Sequence, residues 1–155
     1  MYRIMLVAAV CFTGPVAGAS LQPDFIENAG QWDQSILFHT RAADQDLLVQ
    51  RRGVTLLKAS EDRTSRRLQL TFLGANPDPA VSGEAARDAT INFYLGADRS
   101  RWREGVHTFG EVRWRDLYPG IDLVLRRDDG TVQRIYRVAP GADYTEIGFR
   151  VDGAD

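Results

Sequence analysis

The stretch that most constrains this chain is residues 116–143, DLYPGIDLVLRRDDGTVQRIYRVAPGAD. Two alternating runs, 121–127 and 132–138, are bounded by Pro119-Gly120 and Pro140-Gly141 and separated by Asp128-Asp129-Gly130. In Tyr118-Pro119-Gly120-Ile121, proline presets φ at the second turn position and glycine accepts positive φ at the third, which is a type II turn. Ala139-Pro140-Gly141-Ala142 repeats the device. Asp129-Gly130 suits a two-residue type I′ turn. That turn fixes a register: Arg127 faces Val132, Leu125 faces Arg134, Leu123 faces Tyr136 and Ile121 faces Val138. One face is then Ile121, Leu123, Leu125, Val132, Tyr136 and Val138, interrupted near the turn by Arg127 and Arg134. The other face pairs Asp122 with Arg137, Val124 with Ile135 and Arg126 with Gln133. Turn chemistry and face pattern agree, as in a sequence that specifies one register. A calcium loop needs about six oxygen ligands around one point. Asp116, Asp122, Asp128 and Asp129 fall on alternate ends of this hairpin, so no metal site is expected.

The rest of the chain continues in the same idiom. No helix-period segment exceeds two turns, and short alternating or apolar runs recur between Gly, Asp, Asn and Pro. Strands are expected at 36–40, 46–50, 54–58, 67–73, 90–94, 107–115, 121–127, 132–138 and 146–151. Such spacing reads as an all-β fold, an antiparallel sandwich or barrel-like sheet of about 8–9 short strands. Residues 74–88, GANPDPAVSGEAARD, show no apolar period and read as an exposed loop, with at most one helical turn at 85–88. Arg51-Arg52-Gly53 reads as a three-residue hairpin connection whose glycine is left-handed. Leu56-Leu57 breaks alternation, so one of the two lies on a second packed face or marks a bulge.

Residues 1–19, MYRIMLVAAVCFTGPVAGA, have an early Arg3, an apolar run at 4–12 and Ala17-Gly18-Ala19 at the end. These are the parts of a secretory signal peptide. The apolar run is shorter than the roughly 20 residues of a membrane span. Cleavage leaves a single domain at 20–155, secreted, periplasmic or at the cell surface, with no membrane span. Cys11 is the only cysteine, so the mature chain has none and must rely on its core rather than on disulfides. Removing Arg3 takes the net charge from -2 to -3, too balanced for a general nucleic-acid or anionic-membrane binder.

Sites for chemistry are sparse. His39 and His107 stand apart, with no cysteine at metal spacing. No Gly-x-Ser-x-Gly elbow and no Gly-rich phosphate loop occur. Glu104 and Glu111 are candidates for a hydrolytic pair only as glutamates near aromatic residues, and nothing else marks them. Residues 99–114 interleave Arg99, Arg101, Arg103 and Arg113 with Trp102, Phe109 and Trp114. Stacking on single-stranded nucleic acid is one use of such a pattern. Aromatics in the core with solvated arginines is the reading that net acidity and export favour. Exposed Trp32 or Trp102 would suit stacking on a sugar ring, the best-supported ligand reading.

Five motifs together resemble a family, the domain of unknown function that precedes SBBP (bacterial β-propeller) repeats in exported bacterial proteins. They are Glu27-Asn28-Ala29-Gly30-Gln31; Phe72-Leu73-Gly74-Ala75; Asn92 through Gly96 with Asp98 and Trp102; Leu117-Tyr118-Pro119-Gly120-Ile121-Asp122-Leu123; and Pro140-Gly141-Ala142-Asp143. The resemblance runs from about Phe25 to the end of the chain. Departures are Phe93 and Phe109 where tyrosine is usual, Arg126-Arg127 in place of aromatic residues and Gly, and Arg134-Ile135-Tyr136 in place of an acidic-Tyr-acidic run. Asn28, Gly30, Gln31, Asn92, Gly96, Trp102, Tyr118, Pro119, Gly120, Asp122, Asp129, Gly130, Pro140, Gly141 and Asp143 are accordingly expected to be structural-motif residues.

The resemblance implies an exported, β-rich structural or interaction module, with downstream propeller repeats or other surface proteins as partners and neither catalysis nor a cofactor. The other reading is a carbohydrate-binding or hydrolytic exoprotein. The resemblance also implies an N-terminal portion of a longer domain. The run 146–151 puts Ile147, Phe149 and Val151 on one face, and an uncovered apolar edge of that kind invites pairing with other chains.

Overall fold

In the computed structural model the described residues are 3–5, 24–42, 44–59, 65–128 and 130–153. They form eleven strands and no α-helix. The strands are β1 (Arg3–Met5), β2 (Phe25–Glu27), β3 (Ile36–Ala42), β4 (Gln45–Gln50), β5 (Gly53–Ala59), β6 (Ser65–Leu73), β7 (Ala80–Phe93), β8 (Arg103–Tyr118), β9 (Ile121–Asp128), β10 (Thr131–Val138) and β11 (Gly148–Asp152). Single 3-10 turns lie at Arg99–Arg101 and Tyr144–Glu146. Every pairing is antiparallel, in the order β1-β10-β9-β8-β2-β3-β4-β5-β6-β11, with β7 branching from β8. The sheet curls into a half-barrel.

The hairpin register stands as read. Leu125 pairs with Arg134, Leu123 with Tyr136 and Ile121 with Val138, and a two-residue connection joins Asp128 to Thr131. Asp129 lies outside the described residues. Tyr118 pairs with Ile121 across Pro119-Gly120, with Gly120 at φ +70°. Gly141 has φ +86°, and the Ala142 amide donates to the Ala139 carbonyl at 3.1 Å. The two Pro-Gly corners meet: the Ala139 amide donates to the Gly120 carbonyl at 2.9 Å. Closing both turns thus seats the end of β10 on the start of β9.

The long β8 organises the rest. Phe109 pairs with Ala86 of β7 on one side and Phe25 of β2 on the other. Farther along, Glu111 pairs with Glu84 of β7 and Arg126 of β9. One edge of β8 therefore carries β7, and the other is shared end to end by β2 and β9. Alternate residues of β8, Val106, Thr108, Val112 and Trp114, are buried. The alternation shifts near Asp116, which has φ +47° and lies in the irregularity between Trp114 and Tyr118, so that Leu117 and Tyr118 are both buried. On the concave side Phe25, Phe38, Val49, Val112, Trp114, Leu117, Ile121 and Leu123 make one core. Phe72 packs edge-on to Trp114 at 5.7 Å.

Four expectations need correction. Residues 74–88 are not one loop: from Ala80 they belong to β7, paired with β8 from Ala80 opposite Arg115 to Phe93 opposite Arg103. The sequence hides this strand because it is largely exposed on both faces and draws its order from backbone hydrogen bonds, so no apolar period is required. Ala85 has φ +54° at an irregularity of this strand rather than in a helical turn. Gly53 does not end a three-residue turn. It opens β5 opposite Gln50, leaving Arg51-Arg52 as a two-residue connection, and its φ is not in the left-handed region. Glycine is needed there for space, since a Cβ would collide with the Leu70 backbone of β6. The last strand starts two residues later than expected, because Asp143 caps a 3-10 turn over Tyr144–Glu146. Of Leu56 and Leu57, Leu56 packs against the core, Leu57 points the other way, and β5 pairs without a bulge.

These glycines give a paired prediction. A Cβ added at Gly130 (φ +80°) meets nothing within 4 Å. Gly130→Val should therefore cost only the left-handed backbone penalty, about 1–2 kcal/mol. Gly53→Ala puts an atom against rigid backbone and should cost about 3 kcal/mol. Denaturant melts of both variants check the order, and a larger loss at Gly130 would contradict it.

Candidate functional site

The motif residues sit in loops and corners. Asn28 ties down the segment between β2 and β3: its side-chain amide donates to the carbonyls of Asp33 (2.9 Å) and Ile36 (2.7 Å), and its Oδ1 accepts from the amides of Gly30 (2.9 Å) and Trp32 (3.2 Å). Gln31 accepts from the Ala29 amide and donates to the Glu27 carbonyl, both at 2.7 Å. Gly30, at φ +101°, sits against the Arg103 guanidinium, and Arg103 Nε donates to the Ala29 carbonyl at 2.8 Å. These side chains satisfy the backbone groups of a largely exposed turn, as Asn and Gln commonly do in place of a ladder.

The segment between β7 and β8 is built similarly. Asn92 accepts from the Gly105 amide at 2.8 Å, and Asp98 caps its 3-10 turn by accepting from the Ser100 amide at 3.0 Å. Gly96 has φ +71°, and its carbonyl accepts from Trp102 Nε1 at 3.0 Å. At the other end of the sheet Asp143 accepts from the Thr145 amide at 2.9 Å. The Tyr118 hydroxyl donates to the Gly148 carbonyl at 2.7 Å and lies 3.2 Å from its amide. Burial pushes the Tyr118 phenol up, so it stays a neutral donor at physiological pH.

Asp122 is the acid of the Leu-Tyr-Pro-Gly-Ile-Asp-Leu motif. It lies opposite Arg137 in the ladder, as expected, but its ion pair is with Arg113, from Nε at 3.1 Å and Nη2 at 2.5 Å. Its other oxygen accepts from the Asp116 amide at 2.7 Å, which holds the irregular turn of β8. Arg137 turns instead to Glu111 (3.3 Å) and Glu84 (3.8 Å), while Arg126 meets Glu111 at 2.6 Å. Arg137 thus takes acids of β8 and β7 over the Asp122 directly opposite it, whereas Arg126 takes Glu111, its own ladder partner on β8. The Asp122 hydrogen bond, and then that of Glu84, hold the Arg113 guanidinium above its usual range.

The residues weighed for chemistry do not converge. His39 lies 3.0 Å from Asp46, while His107 is exposed on β8. Among the described residues no group of three His, Cys, Asp or Glu side chains could hold a metal ion. Glu111 is engaged by two arginines. In the arginine-aromatic segment Trp114 is fully buried and Arg113 is ion-paired on the outer face. Trp32 is half-buried against His39 (5.0 Å) and Phe93 (5.4 Å), beside an open groove of about 360 Å³ lined by Asn28, Gln34 and Phe38. Trp102 packs on Tyr94 at 5.0 Å, with Arg99 over its ring. Tyr94, 56% exposed, is the open ring of that pair.

A second concavity was not expected. The concave face opens between β10 and the β5, β6 and β11 side as a cleft of about 230 Å³, lined by Leu47, Leu56, Leu70, Leu125, Val132 and Phe149 among others. Phe149 and Val151 on its rim are 42% and 43% exposed. Gln45 and Thr131 also line it, and its charged residue is Arg134, whose guanidinium lies 4.6 Å from the Phe149 ring centre and 5.9 Å from that of Tyr136. The signal was present in the sequence, where Arg134 interrupts an apolar face, but only the curl of the sheet brings that face against strands eighty residues away in the chain.

Fold and motifs together define an open, all-β half-barrel whose recurrent polar and glycine residues shape turns and caps. The chain belongs to the family described as domain of unknown function DUF7948, whose model matches residues 25–155. No curated protein and no solved structure matches it.

Proposed function

We propose that this protein is a non-enzymatic, exported structural or interaction module, working beside downstream β-propeller repeats or other surface proteins. The observation that carries this reading is the unclosed sheet. β11 pairs with β6 on one side and with no strand on the other among the described residues. Among the described residues β10 carries on its outer edge only the three-residue β1, drawn from the segment read as a leader. Removal of that leader frees the edge. Unpaired backbone donors and acceptors at a sheet edge are a template for strand addition. Export rests on the leader pattern, and no helix among the described residues is long and apolar enough to cross a membrane.

Mass spectrometry of the exported protein is expected to find Ser20 as its first residue. Size-exclusion chromatography across concentrations should show association, with amide exchange slowed selectively in β10 or β11. A species that stays monomeric, or one that associates with no added protection at those edges, contradicts the module reading. Saturable binding on a glycan array would instead favour the carbohydrate-binding reading.

A further inference from the structure

Arg134 differs from the arginines of the outer face. On the outer face Arg113, Arg126 and Arg137 each meet a carboxylate within 4 Å. Arg134 stands on the concave face, opposite Leu125, and no carboxylate pairs with it among the described residues. Its Nε is buried and meets no acceptor. A buried donor without an acceptor is costly and uncommon in a finished site. The two rings beside it leave the guanidinium's hydrogen-bonding fork unused, since a π-face supplies attraction but no acceptor oxygens in its plane.

What surrounds this cation is almost wholly apolar. Leucine and valine side chains of β4, β5, β6, β9 and β10 line the 230 Å³ cleft. An aliphatic-lined cavity of about 150 Å³ suffices to take a benzene molecule. An apolar wall ending in one unneutralised, fork-shaped cation is complementary to an apolar chain ending in a planar anion. We propose that the cleft binds a single-chain fatty acid, with its acyl tail among Leu47, Leu56, Leu70, Leu125 and Val132 and its carboxylate on Arg134. This stands apart from the strand-addition reading, since it concerns the concave face and not the sheet edges.

The test is isothermal titration of the purified protein, its N-terminus defined by mass, at concentrations where it is monomeric. The probes are octanoate, decanoate, dodecanoate and dodecanol, all kept below micelle formation. Each methylene that finds room should tighten binding by about fourfold, so affinity rises from octanoate until the tail outgrows the cleft. Dodecanoate should bind at least tenfold tighter than dodecanol. Arg134→Gln should erase that difference while leaving dodecanol unchanged, and Arg134→Lys should restore most of it. Val132→Phe, which narrows the cleft without touching the charge, should weaken both twelve-carbon ligands together. Equal binding of dodecanoate and dodecanol overturns the proposal, as does a carboxylate preference that survives Arg134→Gln. Absence of binding by the folded monomer overturns it as well, including the case where a second copy fills the cleft. Neither result bears on protection of the β10 and β11 edges, so the two proposals fail separately.

Discussion

Trp114→Ala is expected to lower stability by about 3–5 kcal/mol, the usual cost of emptying a large aromatic site in a core. Trp114 is 0% exposed at the centre of the concave face, and Phe72 packs edge-on against it. Its indole Nε1 donates to the carbonyls of Arg51 (3.0 Å) and Gln50 (3.3 Å), in the connection that joins β4 to β5. Alanine would leave a cavity, remove an aromatic pair and strip a donor from a turn at once. Trp114→Phe restores most of the volume but not the donor, so it should recover more than half of the loss. A thermal melt near the native value for the alanine variant would mean that the two sides of the half-barrel do not fold as one unit.

Asp122→Ala should cost about 3 kcal/mol, within the range for removing one partner of a buried ion pair. Asp122 is only 9% exposed, and its loss deprives Arg113 of a two-point partner and the Asp116 amide of its acceptor. Glu84 still meets Arg113 at 3.1 Å, which keeps the figure below the top of that range. Asp122→Asn separates the two parts: it can still accept from Asp116 but carries no charge, so its loss should be about half. Denaturant midpoints at neutral pH measure both. Equal losses for Ala and Asn would assign the whole effect to charge, and no loss in either would show that the irregular turn of β8 is held by its packing alone.

The positions of strands were largely legible because most of them bury one face. Leu47 and Val49, or Leu123 and Leu125, announce a period of two in any window that contains them. β7 was not legible, since Ala80 through Asp88 bury little and are ordered by hydrogen bonds to β8. β2 is not legible either, since three residues, two of them fully or nearly buried, are too few to show a period. The constraint on Gly53 is not local, because it comes from Leu70, a neighbour in space seventeen positions along the chain.

The motif positions divide in the same way. Pro119-Gly120, Gly130 and Pro140-Gly141 could be placed from sequence because a turn is a property of four adjacent residues, and a two-residue turn dictates the register of both strands it joins. The side-chain roles of Asn28, Gln31, Asp98 and Asp143 are nearly as local, with their main partners two to eight residues away. What the tertiary structure alone decided is everything that crosses the sheet. It assigned Asp122 to Arg113 rather than Arg137, because lateral neighbours on three strands compete and side-chain reach settles the outcome. It also left the half-barrel open between β10 and β11 and set Arg134 without an acid at that opening, because the curl of a sheet is summed over all its strands and no short window of sequence contains it.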